Sequence, residues 1–209
     1  MILHDPPRCP LAGIALRRLV DEDLPDWYAY LSDPSVIEHT SWDLHGLESL
    51  AALLRRHQSQ DPAAPLRFAI IDERSGSLLG TIGLHTISLE HRSAELAYDL
   101  ARPYWGRGIA TAVCGAVTAW SYATLGLQRL QATVLETNVR SERVLLKCGF
   151  AFEGLLRAYR QVRGVPGNFK MYARLAGDPA GESRDRSMLQ ERPRATRSGA
   201  DIAGSRPRS

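Results

Sequence analysis

Apolar positions recur at two periods along this chain, and the switches between them mark its elements. A period of two runs through GIALRRLV (Gly13 to Val20) and predicts a first strand. It returns at Leu66 in LRFAIID, LLGTIGLHTISL and SAELAYDL, which predict three consecutive antiparallel strands, with a Ser-Gly turn after the first and a longer, charged EHR turn after the second. Helical spacing governs two stretches in between. DEDLPDWYAYLSD predicts a short helix capped by Asp21 or Asp23 with Pro25 in its first turn, and Leu47 to Gln60 predicts a second. The intervening PSVIEHTSWDLHG reads as a loop carrying Trp42.

Beyond the meander, YWGRGIATAV (Tyr104 to Val113) passes through two glycines into a helix that ends near Leu125, with Ile109, Val113, Val117 and Trp120 as its apolar face and Gly126 as its stop. LQRLQATVLE predicts a strand, and TNVRSERVLLKC a helix with Asn138 as cap and Gly149 just past its end. FEGLLRAYRQV and NFKMYARL predict a strand pair joined by RGVPG. The order β-α-α-β-β-β-α-β-α-β-β describes one α+β domain over residues 13–175, a mixed central sheet of about seven strands flanked by about four helices. Residues 1–12 read as a flexible, Pro-rich lead-in. Residues 176–209, rich in Arg, Ser, Gly, Asp and Pro and almost without apolar periodicity, read as a disordered tail.

Composition narrows the function classes. At 209 residues and 44% hydrophobic content the chain fits one ordinary domain with a sizeable core. The net charge of +3 is small, and the tail alone, with seven arginines and five acids, carries most of it, so no nucleic-acid partner is expected. The N-terminal stretch lacks a basic region ahead of a long apolar run, and no segment approaches the ~20 apolar residues of a membrane span; a cytoplasmic protein with no membrane partner is expected. Cys9, Cys114 and Cys148 show no CxxC spacing and read as reduced packing thiols. The histidines show no HxxxH spacing, so no metal site is expected.

The glycine loop carries the first chemical signal. Gly106 and Gly108 permit positive φ and close backbone approach, and the chain then starts a helix, so several unpaired N–H groups and the positive helix end converge where an anion would sit. Arg107 adds a charge that could reach a phosphate. A tight structural turn explains the same residues equally simply. A nucleoside-triphosphate loop is poorly supported without a Gly-Lys-Ser/Thr ending, and the third glycine of the dinucleotide fingerprint is Thr111.

A second signal, ETNVRSERVLLKCGFAFEG, follows thirty residues on. Together with AELAYDL and YWGRGIA it resembles the GNAT superfamily of acetyl-CoA-dependent N-acetyltransferases, in particular the branch of the RimJ/RimL ribosomal-protein N-terminal acetyltransferases, which shares the Tyr-Trp-Gly-x-Gly loop and the closing EGLLRAYRQVRG…MY pattern. The resemblance spans roughly Gly13 to Leu175 and leaves the tail outside. It implies that Trp105, Gly106, Arg107, Gly108, Ile109 and Ala110 form the coenzyme loop, with the amides of Arg107 to Ala110 on the pyrophosphate. Leu100 before the loop and Thr111 after it are assigned to the same coenzyme. Trp105 departs from the superfamily's Arg/Gln, a replacement common in this branch. Asn138 is implied to hydrogen-bond the pantetheine arm, although a helix cap alone accounts for an Asn there. The tyrosine that many members carry seven residues later as general acid is replaced here by Leu145.

Acetyl transfer needs a neutral amine, a stabilised oxyanion and help for the departing thiolate. Alternation in SAELAYDL sends Glu95, Ala97 and Asp99 to one face and Leu96, Tyr98 and Leu100 to the other, which suits a cleft or a solvated sheet face. The resemblance makes Glu95 the candidate base, directly or through a water, and Ser141, on the same helix face as Asn138, the candidate donor to the leaving sulfur. His85 is the other titratable candidate on the acceptor side. Trp27, Tyr30, His39, Trp42 and Tyr159 are the acceptor-wall candidates, with ordinary aromatic packing as the alternative for each aromatic residue.

The acceptor stays open between a protein N-terminus and a small molecule such as an antibiotic or polyamine. A peptide α-amine, with a pKa of about 7.7–8.0 against about 10.4 for lysine, asks less of a weak base and is modestly favoured. Leu145 keeps alive a non-catalytic coenzyme A-binding or interaction module. The resembling branch contains many homodimers, but no diagnostic seam selects that state here.

Overall fold

The computed structural model describes residues 5–40, 46–59 and 61–179. Trp42 and all but the first four residues of the tail lie outside the described residues. Among the described residues seven strands form one sheet: β1 (Ile14–Arg18), β2 (Leu66–Asp72), β3 (Leu78–Ser88), β4 (Ser93–Leu100), β5 (Arg129–Leu135), β6 (Ala151–Val162) and β7 (Val165–Leu175). Their spatial order is β1-β2-β3-β4-β5-β7-β6, antiparallel at every pairing except the parallel contact of β4 with β5. The α+β architecture and strand count are those expected.

Among the described residues five α-helices accompany the sheet: α1 (Leu24–Leu31), α2 (Pro34–Ile37), α3 (Leu47–His57), α4 (Ile109–Leu125) and α5 (Val139–Lys147). The unexpected one is α2, a single turn inside the stretch read as loop. Its cause is local: Asp33 accepts from the Ser35 amide at 2.8 Å and Pro34 occupies the first helical position. Asp23 occupies the N-cap position of α1 as expected, but its side chain makes no capping bond there. Its carboxylate is held by Arg17 at 2.6 Å on each oxygen and by the Val20 amide at 2.9 Å.

Each sheet face has its own core. Phe68, Ile82 and Leu96 meet Val113 and Val117 of α4 and Leu145 of α5 on one side, while Ala69 and Leu78 meet Trp27, Leu31, Leu50 and Leu54 on the other. The lead-in is tied to the first side, since Cys9 and Leu11 pack on that core and Trp120 Nε1 donates to the Asp5 carbonyl at 3.0 Å. Among the described residues no helix is long and apolar enough to cross a membrane.

Two features of the sheet position the site. β4 and β5 pair over Ser93–Arg129, Ala94–Leu130 and Glu95–Gln131 alone and then diverge, so alternate backbone groups of β4 beyond Glu95 point into a wedge instead of a ladder. The β6–β7 hairpin turns through Arg163 (φ 51°) and Gly164 (φ 80°), the primed geometry of a two-residue loop, so β7 begins earlier than its apolar pattern announces. From that turn Arg163 donates to the carbonyls of Ile37 (3.0 Å), Glu38 (2.6 Å) and Thr40 (3.4 Å), fastening the hairpin to α2.

Candidate active site

The glycine loop leaves β4 through a single 3-10 turn, Arg102–Tyr104, and enters α4 at Gly108, whose φ of 78° and ψ of −4° are left-handed. Gly106 is similarly left-handed at φ 76°, and a Cβ on either glycine would meet nothing within 4 Å. Both are therefore glycine for backbone conformation, and the space above them is open. The first helical bond of α4 runs from the Ala112 amide to the Gly108 carbonyl at 3.0 Å, which leaves the amides of Gly108, Ile109, Ala110 and Thr111 ahead of it, and no side chain caps them.

Trp105 fixes this loop. Its Nε1 donates to the Leu100 carbonyl at 2.7 Å, and its ring lies under the guanidinium groups of Arg102 (4.5 Å to the centroid) and Arg140 (5.0 Å). The loop and α5 enclose a cavity of about 560 Å³, also lined by Leu100 and Thr111 and rimmed by Arg102, Arg107, Arg140, Arg143 and Lys147. Exposed helix-start amides, open glycines and five cations together suit an elongated polyphosphorylated ligand and thus fit coenzyme A.

A smaller cavity of about 120 Å³ adjoins it and is lined by His85, Glu95, Thr133, Arg160 and Phe169. His39, Thr40, Tyr98, Asn138 and Ser141 line both cavities, so the two meet at these residues. Asn138 is the N-cap of α5: its Oδ1 accepts from the Ser141 amide at 3.0 Å, which commits the oxygen and leaves the Nδ2 donors. Ser141 Oγ lies 2.8 Å from the hydroxyl of Tyr98. Glu142 anchors α5 to β7, accepting from Lys170 Nζ at 2.8 Å and the Tyr172 hydroxyl at 2.6 Å. His39 Nδ1 lies 3.2 Å from Thr137 Oγ1, joining the α2 side to the entrance of α5.

The two carboxylates of β4 are both committed. Glu95, 3% exposed, receives Thr133 Oγ1 at 2.6 Å and Arg160 Nη2 at 3.0 Å on the same oxygen, Oε1, and His85 Nε2 lies 3.8 Å from it. Burial lowers the His85 imidazole below its ordinary range, the Glu95 charge opposing and Arg160 reinforcing, so it is neutral near pH 7. Asp99 is engaged by Arg67, the Tyr30 hydroxyl and, at 2.9 Å, Thr81. Tyr30 is thereby part of a buried structural network, and burial with the adjacent Asp99 charge pushes its phenol up.

Other aromatic candidates are placed differently from expectation. Trp27 is 0% exposed in the core beneath α1, because α1 turns that ring onto the sheet and α3, and it lines neither cavity. Tyr159 is 42% exposed and also stands outside both linings. An irregularity in β6 between Leu156 and Arg160, with Ala158 at φ 49°, sends Arg160 inward instead; Tyr159 packs edge-on against Phe169 at 5.9 Å. Tyr98, Thr133, Arg160 and the cations of α5 are site residues that sequence reasoning missed.

Comparison with known proteins agrees with this geometry. The family described as Acetyltransferase (GNAT) domain matches residues 14–151. The chain is 31% identical over 164 residues to an uncharacterized N-acetyltransferase, YoaA, of Bacillus subtilis (strain 168), covering 77% of this chain and 92% of the relative. Among solved structures it is similar to Mycobacterium smegmatis RimJ in complex with CoA-disulfide, with TM-score 0.72, 27% identity and coverage of 82% and 86% of the two chains. It also shares its fold with spermidine N-acetyltransferase from Vibrio cholerae in complex with CoA and spermine, at TM-score 0.71, 23% identity and coverage of 79% and 96%.

Proposed function

The chain belongs to the GNAT acetyltransferase family, and from that premise we propose that it acetylates the α-amine of a peptide or protein N-terminus. It is an acetyl-CoA-dependent N-acetyltransferase, with acetyl-CoA as co-substrate and an amine as acceptor. The observation that supports the α-amine is the state of the two carboxylates that β4 presents to the cavities, Asp99 to the larger and Glu95 to the smaller. Glu95 is already paired with Arg160, and Asp99 with Arg67. A polycationic acceptor calls for carboxylates left over to receive its remaining charges, whereas a peptide amine brings a single charge and, at a pKa of about 7.7–8.0, is partly neutral at pH 7.

In this reading the coenzyme, when bound, supplies the acetyl thioester at the junction of the two cavities. The amides from Arg107 to Ala110 and the cations of the rim bind its phosphates, and Asn138 Nδ2 donates to its pantetheine arm. Thr133 and Arg160 hold Glu95 Oε1, so Oε2 takes the proton of the attacking amine, directly or through a water. His39 and His85 line the acceptor's path. Ser141 Oγ donates to the departing sulfur, in place of the hydroxyl absent at Leu145.

The test is a thermal-stability comparison with acetyl-CoA, coenzyme A and ATP–Mg²⁺, followed by turnover on N-terminal peptides, spermidine and a side-chain lysine peptide with a blocked N-terminus. A rise confined to the coenzyme A pair and fastest turnover on free N-termini are expected. Preferential turnover of spermidine would overturn the acceptor assignment.

A further inference from the structure

The acetyl-transfer reading above leaves one half-buried phenol unused, and it stands where the two cavities join. Tyr98 belongs to β4, pairs with Ile82 across the sheet and faces α4 and α5, opposite to Glu95. Its hydroxyl lies 2.8 Å from Ser141 Oγ, a contact in which either oxygen can donate, and has the Ser141 carbonyl oxygen as a longer acceptor at 3.2 Å. Ser141 is fixed a second time through its own amide, which donates to Asn138 Oδ1. One strand and one helix cap thus hold a single serine in a single place.

That place is chemically constrained. The larger cavity carries the phosphate-binding features and the smaller one the titratable groups Glu95 and His85, so a thioester delivered by the first to an amine held in the second must lie where both linings coincide. Leu145, a turn further along α5, is fully buried and has no hydroxyl to offer. A serine hydroxyl alone rotates freely among several acceptors; one that accepts from a fixed phenol has its own proton directed elsewhere.

Resting on the acetyl-transfer reading, we infer that Tyr98 is a positioning residue for Ser141. Its phenol donates to Ser141 Oγ, so that the serine O–H is aimed at the sulfur of the departing thiolate. In the step it serves, the new N–C bond forms and the C–S bond breaks with its electron pair on sulfur. The amine's proton leaves through Glu95 to solvent, the sulfur is finally protonated from water, and both Ser141 and Tyr98 keep their own protons while stabilising the developing charge. Burial, with the neighbouring thiols Cys114 and Cys148, pushes the Tyr98 phenol far up, in keeping with a group that donates without ionising.

The experiment compares wild type, Tyr98→Phe, Ser141→Ala, Ser141→Thr and the Tyr98→Phe/Ser141→Ala double variant, measuring the Kd for acetyl-CoA, kcat on the best peptide acceptor and the thermal midpoint. Donor affinity should stay within about twofold throughout. Ser141→Ala should lower kcat about 100-fold and Tyr98→Phe about tenfold, and the double variant should fall no further than Ser141→Ala alone, because the phenol acts only through the serine. Ser141→Thr, which restores a hydroxyl, should recover about tenfold relative to Ser141→Ala. A Tyr98→Phe enzyme with wild-type kcat, losses that multiply in the double variant, or a Ser141→Thr as slow as Ser141→Ala would each overturn the assignment. A wild type that binds acetyl-CoA and turns over no amine would instead overturn the acetyl-transfer reading itself.

Discussion

Replacing Gly108 with alanine separates the folding role of the loop from its binding role. Gly108 sits at φ 78°, and its Cβ would meet nothing within 4 Å, so the substitution introduces strain without collision. A left-handed L-residue costs roughly 1–2 kcal/mol, and the narrower unfolded ensemble of alanine returns about 0.4–1 kcal/mol. The net loss is about 1 kcal/mol, or about 2–4 °C in the thermal midpoint of a domain this size. The new methyl projects into the space above the helix-start amides, where the pyrophosphate is assigned, and donor Kd should rise at least about tenfold, equivalent to ~1.4 kcal/mol. Gly76, in the β2–β3 turn, is the matched control: its φ is 72°, its Cβ is equally uncontacted, and it lines neither cavity. Calorimetric titration of acetyl-CoA and thermal melts on both variants decide the matter. Gly76→Ala should lose the same stability and bind normally. If Gly108→Ala also binds normally, the assignment of the pyrophosphate to this loop is wrong.

Three further outcomes follow from the buried charges. Asp99→Ala strips the carboxylate from the buried Arg67 side chain and the half-buried Tyr30 and should cost about 3–5 kcal/mol in urea unfolding; a loss below about 1 kcal/mol would mean the network is not a unit. Glu95→Gln, which can still receive Thr133, should lower kcat at least about 100-fold with unchanged acetyl-CoA affinity, and retention of kcat at every pH would remove the base assignment. Burial, followed by the Arg67 charge, pushes the His57 imidazole down to about 4, so below about pH 6.5 the unfolded chain takes up a proton that the fold refuses. Stability should therefore decline as pH falls from about 6.5 to about 4, by about 3 kcal/mol from this group, and His57→Leu should flatten that slope; an unchanged slope would exclude His57 as its source.

Much of this site is legible in the sequence because its signals are local. The left-handed glycines and the helix start at Ile109, the cap at Asn138 and the alternation of Glu95 with Tyr98 all depend on residues a few positions apart. The short helix α2 is equally local, and its signal, Asp33 followed by Pro34 and Ser35, lies within a stretch whose Trp42 draws attention instead. Arg160 and Tyr98 are illegible for different reasons. Arg160 stands 65 residues from Glu95, and an irregularity in β6, which no composition announces, decides that it and not Tyr159 turns inward. Tyr98 is assigned to the correct face by alternation, but that face becomes part of the site only because β4 and β5 part after three residue pairs. Trp27 illustrates the converse, since an aromatic residue at helical spacing is as suitable for a core as for a pocket.

The clasp between Arg163 and the carbonyls of Ile37, Glu38 and Thr40 has a meaning for how this protein can change. All three acceptors are main-chain oxygens, and every amino acid offers the same one. The join between the two distant segments that bound the acceptor side is therefore blind to which side chains stand at positions 37, 38 and 40. At Thr40, which lines both cavities, a substitution can alter what the wall presents to a substrate without loosening that join. Shape and taste are inherited separately, and selection can rework the second while a single arginine keeps the first.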